Sequence, residues 1–96
     1  MSEQIALKGN TLKVSGDVVF NTVNAIINAS APLLKSISGD ILVDLNNVDR
    51  VSSAALALLM NWKRFAKSQH KNIQFLNVPD KLQSIAQVCG VKNLLS

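Results

Sequence analysis

The sequence predicts a single small α/β domain, with a mixed β-sheet, the element order ββαβαβα and helices packed mostly on one face. Three observations lead there. First, 96 residues with 48% hydrophobic and 17% charged side chains suit one core: at this length about two-thirds of the extended chain's surface is buried on folding, with no room for a second core. The domain is therefore expected to span residues 1–96. Second, short β-branched apolar segments alternate with longer segments whose apolar residues recur at helical spacing. Third, strands separated by helices need crossover connections, which give parallel pairing of right-handed sense.

Each element follows from a local pattern. Ile5 and Leu7, then Leu12 and Val14, alternate with polar residues on either side of Gly9-Asn10, a dipeptide suited to the positive φ of a tight turn. Strands are expected over residues 4–8 and 11–15, with Gly16-Asp17 breaking the second. Val23, Ile26, Ile27, Ala31 and Leu34 then predict a helix over 21–36, with Asn21 or Thr22 able to cap it. Pro32 lacks an amide donor and is expected to kink or split that helix. Ile41-Leu-Val-Asp-Leu45 is a continuous apolar run of the kind buried on both faces, so it predicts a central strand. Asn46-Asn47 should loosen the chain before Val48 and Val51 turn inward. Ser52-Ser53 precede helix formers from Ala54 to Lys67, and Lys63, Arg64 and Lys67 complement the dipole in the last turns. Residues 72–77 read as a strand. Pro79-Asp80 opens a last helix to about Cys89, with Leu82, Ile85, Ala86 and Cys89 on one face and Gly90 as its stop.

Several function classes lose their footing. The longest apolar run, Ala54–Met60, falls far short of the roughly 20 residues that cross a bilayer. The N-terminal Met-Ser-Glu-Gln-Ile lacks the basic and apolar regions of a secretory signal, which makes the cytoplasm the expected compartment. One cysteine, Cys89, and one histidine, His70, cannot build a metal cluster, a disulfide or a Cys/His catalytic pair by spacing. Asp17, Asp44 and Asp49 are too dispersed for a paired-carboxylate site. No catalytic residue, metal or cofactor is expected, and the chain is not expected to be an enzyme. A net charge of +4 is mild and does not by itself identify nucleic acid as a partner.

The informative stretch runs from Ile41 to Leu59: a buried strand ending in Asp44-Leu45, a short loop with Val48, then Ser52-Ser53-Ala54-Ala55-Leu56 opening a helix. It resembles the STAS domain, the module of sulphate transporters and anti-sigma factor antagonists, whose pattern is an apolar strand ending in Asp-Leu followed by Asp-Ser/Thr-Ser/Gly-Gly-Leu. Ser53 falls on the Ser/Thr phosphorylated in the antagonists, and Leu56 on the pattern's leucine. Val78-Pro-Asp-Lys-Leu-Gln-Ser-Ile-Ala-Gln-Val-Cys-Gly-Val91 is similar to the family's last helix. Within the family, the short length, the Leu-Ala-Leu-Leu helix start and the Lys-Leu-x-x-Ile-Ala run look most like the small STAS subunit of Mla-type phospholipid ABC transporters.

That resemblance implies a STAS-like fold and a non-catalytic cytoplasmic subunit, peripheral to the inner membrane, that binds and regulates the ATPase of an ABC transporter maintaining outer-membrane lipid asymmetry. Ser52, Ser53, Ala54 and Ala55 are the implied partner-contact residues, and Ser53 the candidate phosphoacceptor. Ser52 stands where the pattern has Asp, so the negative charge favoured at a helix N-terminus is absent. Ala54-Ala55 replace Ser/Gly-Gly, and their methyl groups limit how closely a kinase approaches. The alternative is an anti-sigma factor antagonist switched by a kinase at Ser53; a third reading, a nucleic-acid-binding domain, has only the charge behind it. On residues alone, Ser52 and Ser53 read as N-caps. Trp62, with Leu58, Phe65 and Ala66, lies on a core-facing stripe. Lys63, Arg64, Lys67 and Lys71, beside His70, form the basic cluster, which reads as a solvated helix end. With Trp62 and Phe65 on the core-facing stripe, it lacks an aromatic stacking platform for single strands, so no nucleic acid is expected as partner. Cys89 is expected to be buried and His70 solvated.

Overall fold

The structure, a computed structural model, describes residues 4–95, apart from the side chains of 92 and 94. The observed order is β1 (Ile5–Lys8), β2 (Thr11–Val18), α1 (Val23–Ser36), β3 (Ile41–Val51), α2 (Ala54–Ser68), β4 (Ile73–Leu76) and α3 (Asp80–Val88), with a final 3-10 turn over Lys92–Leu95. The strands lie side by side in chain order, β1–β2 antiparallel and β2–β3 and β3–β4 parallel. The mixed sheet and the ββαβαβα order match the expectation.

The register explains the two faces. Leu12 pairs with Leu7 and Val43, and Val43 with Phe75, so these side chains share the face that the helices cover, where Leu12, Val43 and Phe75 are buried. The opposite face carries Ala6, Lys13, Asp44 and Leu76 in one row and Lys8, Thr11, Leu42 and Gln74 in the next. None of these is fully buried, which leaves that face uncovered.

Two strands run further than expected. Gly16-Asp17 does not end β2, and Asn46-Asn47 does not end β3: both strands continue to the pair Val18↔Val51. The pairing shifts register between Lys13 and Ser15 and again between Gly16 and Val18, so β3 contains extra residues relative to β2, as bulges do. The residues that resemble strand breakers in sequence are absorbed by these bulges. Gly16 sits at φ +76°, with Gln4 packed beside it. The Gln4 amide holds the irregular segment by donating to the Ser15 and Asp17 carbonyls at 3.1 and 2.7 Å.

Helix α1 is a single helix with Pro32 inside it. It is not split, because Pro32 is exposed and the carbonyl it leaves unpaired, that of Asn28 one turn earlier, belongs to an exposed residue as well. On the inner side, the Trp62 indole N–H of α2 donates to Ser30 Oγ of α1 at 2.9 Å. Trp62 is 0% exposed and Ser30 is the one buried polar residue among those described. The expected core stripe of Leu58, Trp62 and Ala66 is buried, with Phe65 at its margin. Cys89 corrects the expectation: it is exposed. Leu82 and Ala86 bury one side of α3, which ends at Val88; beyond it the chain reverses at Gly90, φ +73°, and Val91, whose N–H donates to the Ala86 carbonyl at 2.8 Å, packs against the core while Cys89 is left outside.

Two outcomes follow. Ser30→Ala strands the Trp62 N–H in the core and should cost about 1–3 kcal/mol, whereas Trp62→Phe/Ser30→Ala together should cost less than the sum of the single changes by about 1 kcal/mol; urea unfolding of the three variants measures both. Gly16→Ala forces a side chain into the left-handed region and should destabilise by about 1–2 kcal/mol, which a shift in the same unfolding midpoint reports.

Candidate functional site

The shared end of β2 and β3 delivers the implied contact residues. Beyond Val51, Ser52 is anchored to the neighbouring strand by its N–H, which donates to the Val18 carbonyl at 3.2 Å. The Ser52 hydroxyl accepts the Ala54 N–H at 3.2 Å, and the Ser52 and Ser53 carbonyls accept the N–H groups of Ala55 and Leu56 at 2.9 and 3.0 Å. This first turn is thus held by Ser52 and by backbone. Ser53 is the N-cap residue by position, but its side chain makes no capping bond. Of the two N-cap readings, only Ser52's hydroxyl meets a helix amide.

Exposure divides the four residues. Ser53 is exposed and Ser52 and Ala54 are half-buried. Ala55, 1% exposed, faces inward with Val18, Leu45, Leu58 and Leu82 around an apolar crevice with room for one water molecule at most. Its methyl group helps seat the helix and is not on the surface, so Ser52, Ser53 and Ala54 are the ones open to a partner. The crevice is too small for a ligand.

Sequence reasoning passed over a second tie at this end. Arg50 of β3 donates to Asp17 of β2 through Nη2 at 2.9 Å and Nε at 3.3 Å, both to the same carboxylate oxygen. These hydrogen bonds hold the Asp17 carboxyl below its ordinary value, and the Arg50 guanidinium is held still more firmly protonated. The pair is solvent-facing, with 78% of the Arg50 side chain exposed, so it positions side chains more than it stabilises the fold. The two residues are 33 positions apart, and nothing in composition or spacing couples them. A similar long-range pair lies mid-sheet on the uncovered face: the Asn77 amide donates to Asp44 Oδ1 at 3.0 Å and the Asn46 N–H at 2.9 Å, which lowers the Asp44 pKa.

The basic cluster is at the other end of α2. Arg64 and Lys67 are exposed, Lys63 and Lys71 half-buried, and the Lys71 ammonium donates to the Ile37 carbonyl just past α1. Lys71 is therefore engaged in joining α1 to the turn before β4. No group of three His, Cys, Asp or Glu among the described residues could hold a metal ion, and no described helix is long and apolar enough to cross a membrane.

Comparison with known proteins gives this geometry a context. The family model described as "Mlab, STAS domain" matches residues 1–96. The chain is 30% identical over 90 residues to the intermembrane phospholipid transport system binding protein MlaB of Escherichia coli strain K12, covering 92% of this chain and 90% of that one. It is 26% identical over 84 residues to the anti-sigma-B factor antagonist of Staphylococcus aureus strain NCTC 8325 / PS 47, covering 88% and 78%. Among solved structures, a chain of the Acinetobacter MlaFEDB complex in its ATP-bound Vtrans1 conformation superposes with a TM-score of 0.77 at 31% identity, covering 91% and 90%. With its whole length matched by the family model and nearly all of it aligned to a relative, the chain belongs to the MlaB-type STAS-domain family.

Proposed function

We propose that this chain is the STAS subunit of an Mla-type phospholipid ABC transporter, and that it works without catalysis by binding the transporter's ATPase subunit through the end of the β2–β3 pair and the start of α2. The observation that carries the reading is the match, over nine-tenths of both chains, to a chain of the Acinetobacter MlaFEDB complex. In this reading it lies on the cytoplasmic side of the inner membrane, held there by the complex and not by insertion. A domain of this kind influences a transporter only by binding one of its states more tightly than another.

The site suits such a role. Ser53 is a small polar side chain at a helix start fixed by Ser52 and backbone hydrogen bonds, so a partner meets a preorganised surface and little ordering entropy is lost on binding. The similarity to the anti-sigma-B factor antagonist and the exposed, uncapped Ser53 hydroxyl favour, as a second reading, a kinase that modifies Ser53. Phosphate there would sit at the positive end of the helix dipole while adding about two negative charges to a contact surface.

Ser53→Arg should weaken binding to the ATPase subunit by more than about 2 kcal/mol, by bulk and by a cation beside the positive helix end, and leave the fold intact. Ser53→Ala should cost about 1 kcal/mol or less, since the hydroxyl caps nothing that folding needs. Calorimetric titration separates them, and equal, unchanged affinities would put the contact elsewhere. The purified chain alone should turn over no nucleotide; hydrolysis abolished by a point mutation in this chain would refute the non-catalytic reading. Affinity capture in moderate salt should recover an ABC ATPase with its permease, whereas recovery of an anti-sigma kinase would support the second reading.

A further inference from the structure

Phe20 has no role in the fold. It lies in the turn between β2 and α1 with 83% of its surface exposed, and an isolated exposed aromatic would by itself mean little. Its setting gives it meaning. The turn is built firmly: the Thr22 hydroxyl accepts the Val19 N–H at 3.1 Å and lies 2.8 Å from the Asp17 carbonyl, and the N–H groups of Thr22 and Val23 both donate to the Val19 carbonyl at 3.0 Å. The last register pair of the two long strands is Val18↔Val51. Two residues beyond each member stand Phe20 and Ser53, so the strand pairing brings both out at one end of the sheet. The Ser52–Val18 backbone bond and the Arg50–Asp17 pair tie the two segments across.

We propose that Phe20 is the aromatic anchor of the partner surface whose polar part is Ser53: its ring inserts into an apolar pocket of the ATPase subunit, with the Asp17–Arg50 pair as the polar rim. The proposal rests on the reading that this end of the sheet faces the ATPase. A large rigid ring with two rotatable bonds loses little entropy on docking, and aromatic side chains ringed by polar groups dominate binding energy in protein interfaces.

The charge pattern argues for a protein pocket over a lipid surface. A ring that enters an anionic bilayer is normally flanked by lysines or arginines that draw it in. At this end of the sheet cations are not in excess: Arg50 pairs with Asp17 and lies in the field of Asp49, and α3, whose Pro79 and Leu82 line the crevice with Val18 and Val51, begins there with Asp80-Lys81, while exposed Arg64 and Lys67 lie in the later turns of α2. Along α2 those two cations lie roughly 15 and 20 Å from the helix start at Ala54, at 1.5 Å per residue.

The test uses the full chain and the Mla-type ATPase subunit in binding titrations, with Val88 as control because it is equally exposed, at 87%, on α3. Phe20→Ala should melt like the unmodified chain and bind about 30-fold or more weakly, while Val88→Ala binds normally. If Phe20→Ala binds within about twofold of the unmodified chain while Ser53→Arg is impaired, the anchor is overturned and the docking site stands. If the unmodified chain does not bind the ATPase at all, both fall. Phe20-dependent co-sedimentation with vesicles of phosphatidylglycerol and phosphatidylethanolamine, with ATPase binding unaffected, would overturn the proposal in favour of a membrane contact.

Discussion

The parallel pairing of β2 with β3, carried out to Val18↔Val51, is the constraint on which the functional end of the molecule depends. The other two strand pairs each span four register positions, whereas this one continues past two register shifts. Without that extension the turn bearing Phe20 and the helix start bearing Ser53 would be separate loops. With it, they are neighbouring ends of one ladder, closed by the Ser52–Val18 bond and the Arg50–Asp17 pair. Binding residues presented on rigid elements keep their geometry better than those on free loops.

Behind this end the core does separate work. Trp62 fills the space between the two long helices and reaches Ser30 with its indole N–H, so the largest core side chain is fixed in orientation as well as buried. No buried side-chain polar atom among the described residues is left without a partner. Stability thus comes from apolar burial and one satisfied polar link. The surface ion pair is free to serve positioning, since exposed pairs of this kind contribute little to folding.

Much of the architecture was legible because local signals agree with the global fold. Gly9-Asn10 sets the hairpin, Ile41–Leu45 reads as a buried strand, and the Leu58–Trp62–Ala66 stripe reads as core. The two strand-end misreadings share a cause. Gly16-Asp17 and Asn46-Asn47 have the composition of breakers, and a bulge in a paired strand uses the same residues as a turn that ends one. Of the two expectations for Pro32, a kink or a split, the split does not occur: Pro32 is exposed and α1 runs through it. Cys89 continues the apolar spacing of Leu82 and Ala86, yet α3 ends at Val88 and Val91, past the reversal at Gly90, packs against the core instead. At the site, Ser52 and Ser53 were visible as hydroxyls at a helix start, although their division of labour was not: one caps and the other is left to solvent. Phe20, Asp17 and Arg50 were invisible as a group because only the register of two strands brings them together.

The central claim is that the partner docks on the end of the sheet where β2 and β3 stop. Amide hydrogen exchange of the full chain, with and without the ATPase subunit, tests it most directly. Binding should slow exchange in residues 17–22 and 50–56 and leave the C-terminal turns of α2 and strand β4 unchanged. Slowed exchange confined to residues 63–76, with no change at either strand end, would contradict it.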